Sequence, residues 1–175
     1  NCAKGLKKLQ KLKSLKLDFS ECRNLTNNGV KKVYCKGIKK LPLLTSLSLN
    51  FSECHSLSES TVKNLCSKGL RDLNGLKFLK LDFSDCQDLQ ITDQALHYLC
   101  SERLKHLTQL ASFELNLSQC GDLTDDFMQI LCYQQIEYWT GLKSFVINNR
   151  DYPQPFRRIN LQNEIPAKSY LFAFK

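Results

Sequence analysis

A chain of 175 residues leaves room for one domain by length. Its 42% hydrophobic content is broken into runs of only a few residues, which excludes a transmembrane helix. The formal charge of +8 is uneven: residues 1–50 hold twelve Lys and Arg against Asp18 and Glu21, and the remainder is slightly acidic, an asymmetry that points to an acidic partner.

The chain opens on a short apolar-basic segment ending in Leu6, Leu9 and Leu12 and then runs into Leu15-Lys16-Leu17-Asp18-Phe19-Ser20-Glu21-Cys22. That string returns as Leu47-Ser48-Leu49-Asn50-Phe51-Ser52-Glu53-Cys54 and as Leu79-Lys80-Leu81-Asp82-Phe83-Ser84-Asp85-Cys86. A fourth copy is Phe113-Glu114-Leu115-Asn116-Leu117-Ser118-Gln119-Cys120, and a worn fifth is Phe145-Val146-Ile147-Asn148-Asn149. The offsets between copies are 32, 32, 34 and 32 residues. A fixed period of this size predicts a solenoid, in which each unit buries its apolar face on its neighbours. The chain starts inside such a unit and shows no signal peptide, so it is expected to be a piece of a longer protein.

Within a unit the apolar spacing changes. Leu70, Leu73, Leu76 and Leu79 fall every third residue, then Leu79, Leu81 and Phe83 alternate, which predicts a half-buried strand with leucines inward and the residues between them outward. Two residues before the cysteine, Phe83-Ser84 in the third copy, are expected to extend that strand. A loop follows, then Thr26, Ser58, Thr92 and Thr124 stand where a helix N-cap belongs, with acids behind them at Glu59, Asp93, Asp125 and Asp126. Val30/Val33, Val62/Leu65, Leu96/Leu99 and Met128/Leu131 carry helical spacing. Gly37 and Gly69, echoing Gly5, are expected to stop these helices as glycines of positive φ. The extra pair Gln90-Ile91 is expected only to lengthen a loop.

Nine cysteines fall into columns rather than a scattered scaffold. Cys22, Cys54, Cys86 and Cys120 form one; Cys2, Cys66, Cys100 and Cys132 form another, with Tyr34 and Cys35 at the matching place. Stacked, buried free thiols are the expectation, ahead of inter-repeat disulfides or a metal. No C-x-x-C occurs, and His55, His97 and His106 share no column, which argues against zinc. Reduced thiols predict an intracellular, cytoplasmic protein.

The strand pattern Leu76, Leu79, Leu81, followed in the fourth copy by Cys120, Leu123, Thr124 and Asp125, resembles the leucine-rich repeat, and most closely its cysteine-containing subtype. The resemblance covers residues 1 to about 149 and departs from the subtype in its longer period and in the two residues before the cysteine. It implies an α/β solenoid with a curved parallel sheet on the concave face and helices on the convex face. It also implies protein binding on the concave face, and for the cysteine subtype the substrate-recognition part of an F-box-type ubiquitin ligase receptor. No F-box is visible in the chain.

No phosphate loop, nucleophile elbow or other reactive constellation is present, so the chain is read as a non-catalytic protein-interaction module or scaffold without a cofactor or metal, part of a larger complex. The concave-face candidates are Lys16, Asp18, Asn50, Phe78, Lys80, Asp82, Glu114 and Asn116, beside an outward column of Ser20, Ser52, Ser84, Ser118 and Arg150. A basic ridge of Lys4, Lys7, Lys8, Lys36, Lys39, Lys40, Lys68, Arg71 and Lys105 runs along one edge. Its expected partner is a protein with an acidic surface; nucleic acid ranks below that, because stacking aromatics are missing but for Tyr34. The organisation is thus a 1–149 array followed by a 150–175 tail, where Pro153, Pro155 and Pro166 break the period and Tyr170, Phe172 and Phe174 alternate as a cap or docking strand.

Overall fold

The computed structural model describes residues 2–65, 69–70, 72–92, 94–95, 104–120, 141–148 and 159–160. Its elements in chain order are helix α1 (Cys2–Leu6), strand β1 (Ser14–Asp18), helix α2 (Asn27–Lys36), strand β2 (Ser46–Asn50), helix α3 (Glu59–Asn64), strand β3 (Phe78–Asp82), strand β4 (Ser112–Asn116), strand β5 (Ser144–Asn148) and strand β6 (Ile159–Asn160). Single 3₁₀ turns at Ile38–Lys40 and Leu104–His106 bring the chain back toward the next strand. The class is α/β.

The six strands form one sheet in the order β1-β2-β3-β4-β5-β6. The first five are parallel and pair residue for residue at the sequence period: Ser14, Ser46, Phe78, Ser112 and Ser144 lie side by side, as do Asp18, Asn50, Asp82, Asn116 and Asn148. Alternation explains the sheet's two faces. Leu47, Leu49, Leu79, Leu81, Phe113 and Leu115 are at most 2% exposed, while Ser48, Lys80 and Glu114 between them face outward. The buried face shares one core with Val30 and Tyr34 of α2 and Val62 of α3, so helices form the second layer on that side. α2 packs against α1 on one flank and α3 on the other.

The strands stop at the Asp/Asn column, so the Phe-Ser pair does not extend them. Asp82 Oδ1 accepts from Ser84 N at 3.1 Å and Ser84 Oγ at 2.8 Å, Asp18 and Asn116 accept the same pair from Ser20 and Ser118, and Asn50 Oδ1 accepts from Ser52 N at 3.0 Å. These side chains mimic a turn and compete with further strand pairing. The next residue then takes a left-handed conformation: Glu21, Glu53, Asp85 and Gln119 have φ of 59°, 57°, 59° and 61°. The serine column is correspondingly folded onto its own turn instead of reaching outward, with Ser84 and Ser118 buried.

The helix starts follow the expected caps in part. Thr26 accepts from Gly29 N and Thr92 from Ala95 N, both at 3.3 Å. Ser58 makes no such bond; its N–H donates to Asn27 Oδ1 at 3.0 Å and its hydroxyl receives Asn27 Nδ2 at 2.8 Å, tying α3 to α2. The buried Thr61 hydroxyl also donates to Asn27 Oδ1. The glycine expectation is corrected: Gly37 sits at φ −114°, not in the left-handed region. Its lack of a side chain serves contact, because a Cβ there would lie 2.6 Å from the Val33 carbonyl and 3.0 Å from Leu6. At Gly69 a Cβ would press on the Tyr34 ring at 3.0 Å. The Gln90-Ile91 insertion does more than lengthen a loop, since Ile91 is 2% exposed and its N–H donates to the Cys120 carbonyl at 3.0 Å.

The helical expectations at Leu96/Leu99 and Met128/Leu131 and the tail's Tyr170, Phe172 and Phe174 lie outside the described residues. Of the tail, Ile159–Asn160 pairs antiparallel with β5. No helix among the described residues is long and apolar enough to cross a membrane.

Candidate functional site

Three surfaces gather the candidate residues. The first is the open face of the sheet. Lys16 and Asp18 of β1 are exposed, and Asn50 of β2 is half-buried in the adjacent register position. Phe78 begins β3 and is 52% exposed, because the positions beside it are the small Ser46 and Ser112. Two residues along, Lys80 Nζ meets Glu114 Oε1 at 2.5 Å across β3 and β4. Asp82 and Asn116 close that face, Asn116 Nδ2 donating to Asp82 Oδ2 at 3.2 Å. The backbone and hydroxyl hydrogen bonds from Ser20, helped by Asn50, hold the Asp18 carboxyl below its usual range. The face therefore offers one aromatic ring beside an ion pair and a polar ladder whose valences are largely used internally.

The second surface is the basic edge, formed where helices end and the chain turns toward the strands. Lys4, Lys7, Lys8, Lys36 and Lys40 are exposed. Lys39 is tied to Asp72 at 2.8 Å. Lys68 and Arg71, and the Lys105 side chain, lie outside the described residues. Tyr34, the expected aromatic companion, is 1% exposed and belongs to the core. Two residues not anticipated from the sequence stand here instead: Leu9 and Leu43, 48% and 51% exposed. Leu43 is an apolar letter where its column mates are Lys11, Gly75, Gln109 and Gly141, whereas Leu9 belongs to the column of the buried Leu41, Leu73 and Leu107.

The third surface is the opposite edge, where strands end. Glu53, His55, Asp85, Gln87 and Gln119 line an open pocket of about 350 Å³. Three of those five are the left-handed residues of successive turns. The His55 Nδ1 is buried and has no hydrogen-bond partner among the described residues. No group of histidine, cysteine and carboxylate side chains among the described residues could hold a metal ion.

The cysteine column runs beneath that corner. Cys54 Sγ donates to Phe19 O at 3.1 Å, Cys86 Sγ to Phe51 O at 3.1 Å and Cys120 Sγ to Phe83 O at 2.6 Å. Each thiol thus satisfies a carbonyl one strand back. Burial pushes the Cys54 thiol up to about 11, and Cys86 is raised by its interaction with Cys120 and by burial. Thiols held in this state are poor nucleophiles near neutral pH. The expectation of buried free thiols is met at Cys54, Cys86 and Cys120, and fails at Cys22, which is exposed. Cys22 lies in the turn that follows β1. Cys66, Cys100 and Cys132 lie outside the described residues, as do Thr124, Asp125 and Arg150.

No protein-family model matches the chain, and no curated protein matches it significantly.

Proposed function

We propose that the chain is a leucine-rich-repeat solenoid acting as a non-catalytic protein-interaction module within a larger intracellular assembly. The observation that carries this reading is the register: five parallel strands pair at the sequence period, with equivalent residues side by side. Such stacking builds an extended outward face from one residue of every two, a surface that can be varied without touching the core. On it, Phe78 and its neighbouring Lys80–Glu114 pair are the anchor, because an exposed aromatic ring beside fixed charges resembles an interface hot spot more than any other described position on that face. The raised thiols of Cys54 and Cys86, each donating to a carbonyl one strand back, support packing rather than chemistry at those two positions.

The test is capture from native cells by the chain and by its Phe78→Asp variant, with partners identified by mass spectrometry and then rebuilt from purified components. A purified partner whose affinity drops at least about tenfold with Phe78→Asp supports the module. Turnover of a small molecule that is abolished by a substitution on this face overturns it. The F-box-type reading stands on the cysteine-subtype likeness alone, and co-purification of a ubiquitin ligase scaffold would favour it.

A further inference from the structure

On the edge where the strands end, we propose that the pocket of Glu53, His55, Asp85, Gln87 and Gln119 receives an arginine side chain of a partner protein. The proposal rests on the reading of the chain as an interaction module and gives its partner a second point of contact. The five residues come from the turns after β2, β3 and β4, each of which has a paired strand on either side. The corners are fixed through the backbone: Glu53 N donates to Ser84 O at 2.9 Å and Asp85 N to Ser118 O at 2.8 Å, and the buried Cys54 and Cys86 follow directly. The side chains, by contrast, are not engaged. None of the five takes part in a hydrogen bond or ion pair among the described residues, whereas the Asp and Asn ladder at the strand ends spends its acceptors on its own turns.

Two carboxylates, two amides and an imidazole thus converge on about 350 Å³, with no described lysine or arginine paired to either acid in a chain that carries 25 of them. His55 separates a ligand site from a merely hydrated acidic corner. Its Nδ1 is buried without a hydrogen-bond partner among the described residues, and buried polar atoms are paired in the great majority of cases. In the Nε2–H tautomer that nitrogen is an acceptor, as are the carboxylates and the amide oxygens. What all five can share is a cation rich in N–H groups. A metal ion is disfavoured, because no group of histidine, cysteine and carboxylate side chains among the described residues could hold one. A guanidinium presents five N–H donors in a planar fork and is weakly hydrated, which suits acceptors spread over three turns better than the compact, strongly hydrated ammonium of lysine. The pocket is open, which suits a side chain delivered by a docked surface, since the rest of the partner then excludes water from the contact.

The experiment is an NMR titration of the isotope-labelled chain with N-acetyl-arginine N-methylamide, and with the citrulline and lysine compounds blocked in the same way. The arginine compound should shift the signals of Glu53, His55, Asp85, Gln87 and Gln119 and saturate with a Kd of about 1–10 mM. Citrulline keeps the shape without the charge and should bind at least about tenfold more weakly, and lysine should fall between the two. Glu53→Gln and Asp85→Asn should each weaken arginine binding about fivefold or more. His55→Phe keeps a ring, removes the acceptor and should weaken it about threefold or more. Asp72→Asn removes a carboxylate at the opposite edge and should change it less than about twofold. The spectrum of each variant away from the pocket, matching that of the parent chain, secures it as folded. Phe78→Asp should leave arginine binding unchanged, so the pocket and the sheet face succeed or fail separately. The proposal is overturned by no saturable shift at the pocket, by citrulline binding as tightly as arginine, or by equal loss in Asp72→Asn.

Discussion

Asp82 illustrates how one side chain ends a strand and starts a corner. Its Oδ1 takes both the Ser84 N–H and hydroxyl, and its Oδ2 takes Asn116 Nδ2. Asp82→Ala strands these donors and should lower unfolding free energy by about 1–2 kcal/mol in urea titrations. Asp82→Asn keeps an acceptor at Oδ1 and should cost less than Asp82→Ala. The following position is a different kind of constraint. Glu53 holds φ of 57°, a conformation that a β-branched residue adopts only under strain and glycine adopts freely. Glu53→Ile should therefore destabilise by about 1–2 kcal/mol, and Glu53→Gly should be neutral or slightly stabilising. These left-handed corners were invisible in the sequence because the column reads Glu, Glu, Asp, Gln, without the glycine or asparagine that usually marks such a position. Carboxylates add a pH dependence. Asp18 lies below its usual 3.8 through the Ser20 bonds, and Glu59 below its usual 4.5 through Lys63 and Thr92. A lowered folded value means stability that is complete above the unfolded value and lost as pH falls through the folded one. The urea midpoint should hold from neutral pH to about pH 5 and fall below it, and Asp18→Asn with Glu59→Gln should flatten that fall.

At the scale of an element, each Phe-x-x-Cys turn is built to be covered by the next. Phe19, Phe51 and Phe83 stack with ring centroids 5.5 and 5.2 Å apart and planes within 7° and 17°. The cysteine of one turn caps the phenylalanine carbonyl of the turn before it. Phe51 is covered on both sides and 1% exposed, so Phe51→Ala should cost about 3–5 kcal/mol. Phe19 is covered on one side only, and Phe19→Ala should cost clearly less in the same urea titration. Site-resolved alkylation tests the thiols: Cys22 should be labelled in the folded chain, while Cys54 and Cys86 should react only on the timescale of unfolding. Columns in the sequence made the strands, their register and the buried thiols readable, since each needs only period and alternation. They did not reveal why Gly37 and Gly69 are glycines. That reason is a neighbour's carbonyl and a neighbour's ring, which one unit read alone does not contain. Ile91 was misjudged for the same cause, as an inserted pair interrupts the period although its apolar half still finds the core.

Across the whole molecule, cover is unequal from strand to strand. In β1 and the turns around it, Leu12, Leu15, Leu17 and Phe19 are only partly buried against the core. In β3, Leu79 and Leu81 are 2% and 0% exposed, with Leu76 and Phe83 beside them at 0%. β1 also pairs on one flank alone, whereas β2, β3 and β4 pair on both. When each strand and helix contacts mainly its nearest neighbours, stability is close to a sum of local terms, and the least covered unit opens first. Hydrogen exchange followed by mass spectrometry should therefore find the amides of residues 14–18 exchanging at least about tenfold faster than those of 78–82. Weakening β3 from within, by Leu81→Ala, should speed exchange in β2 and β4 and not in β3 alone, because it removes cover from both flanks. Equal protection of β1 and β3 would mean that the sheet opens as one cooperative block, and that the neighbour-by-neighbour packing read from the register does not govern its energetics.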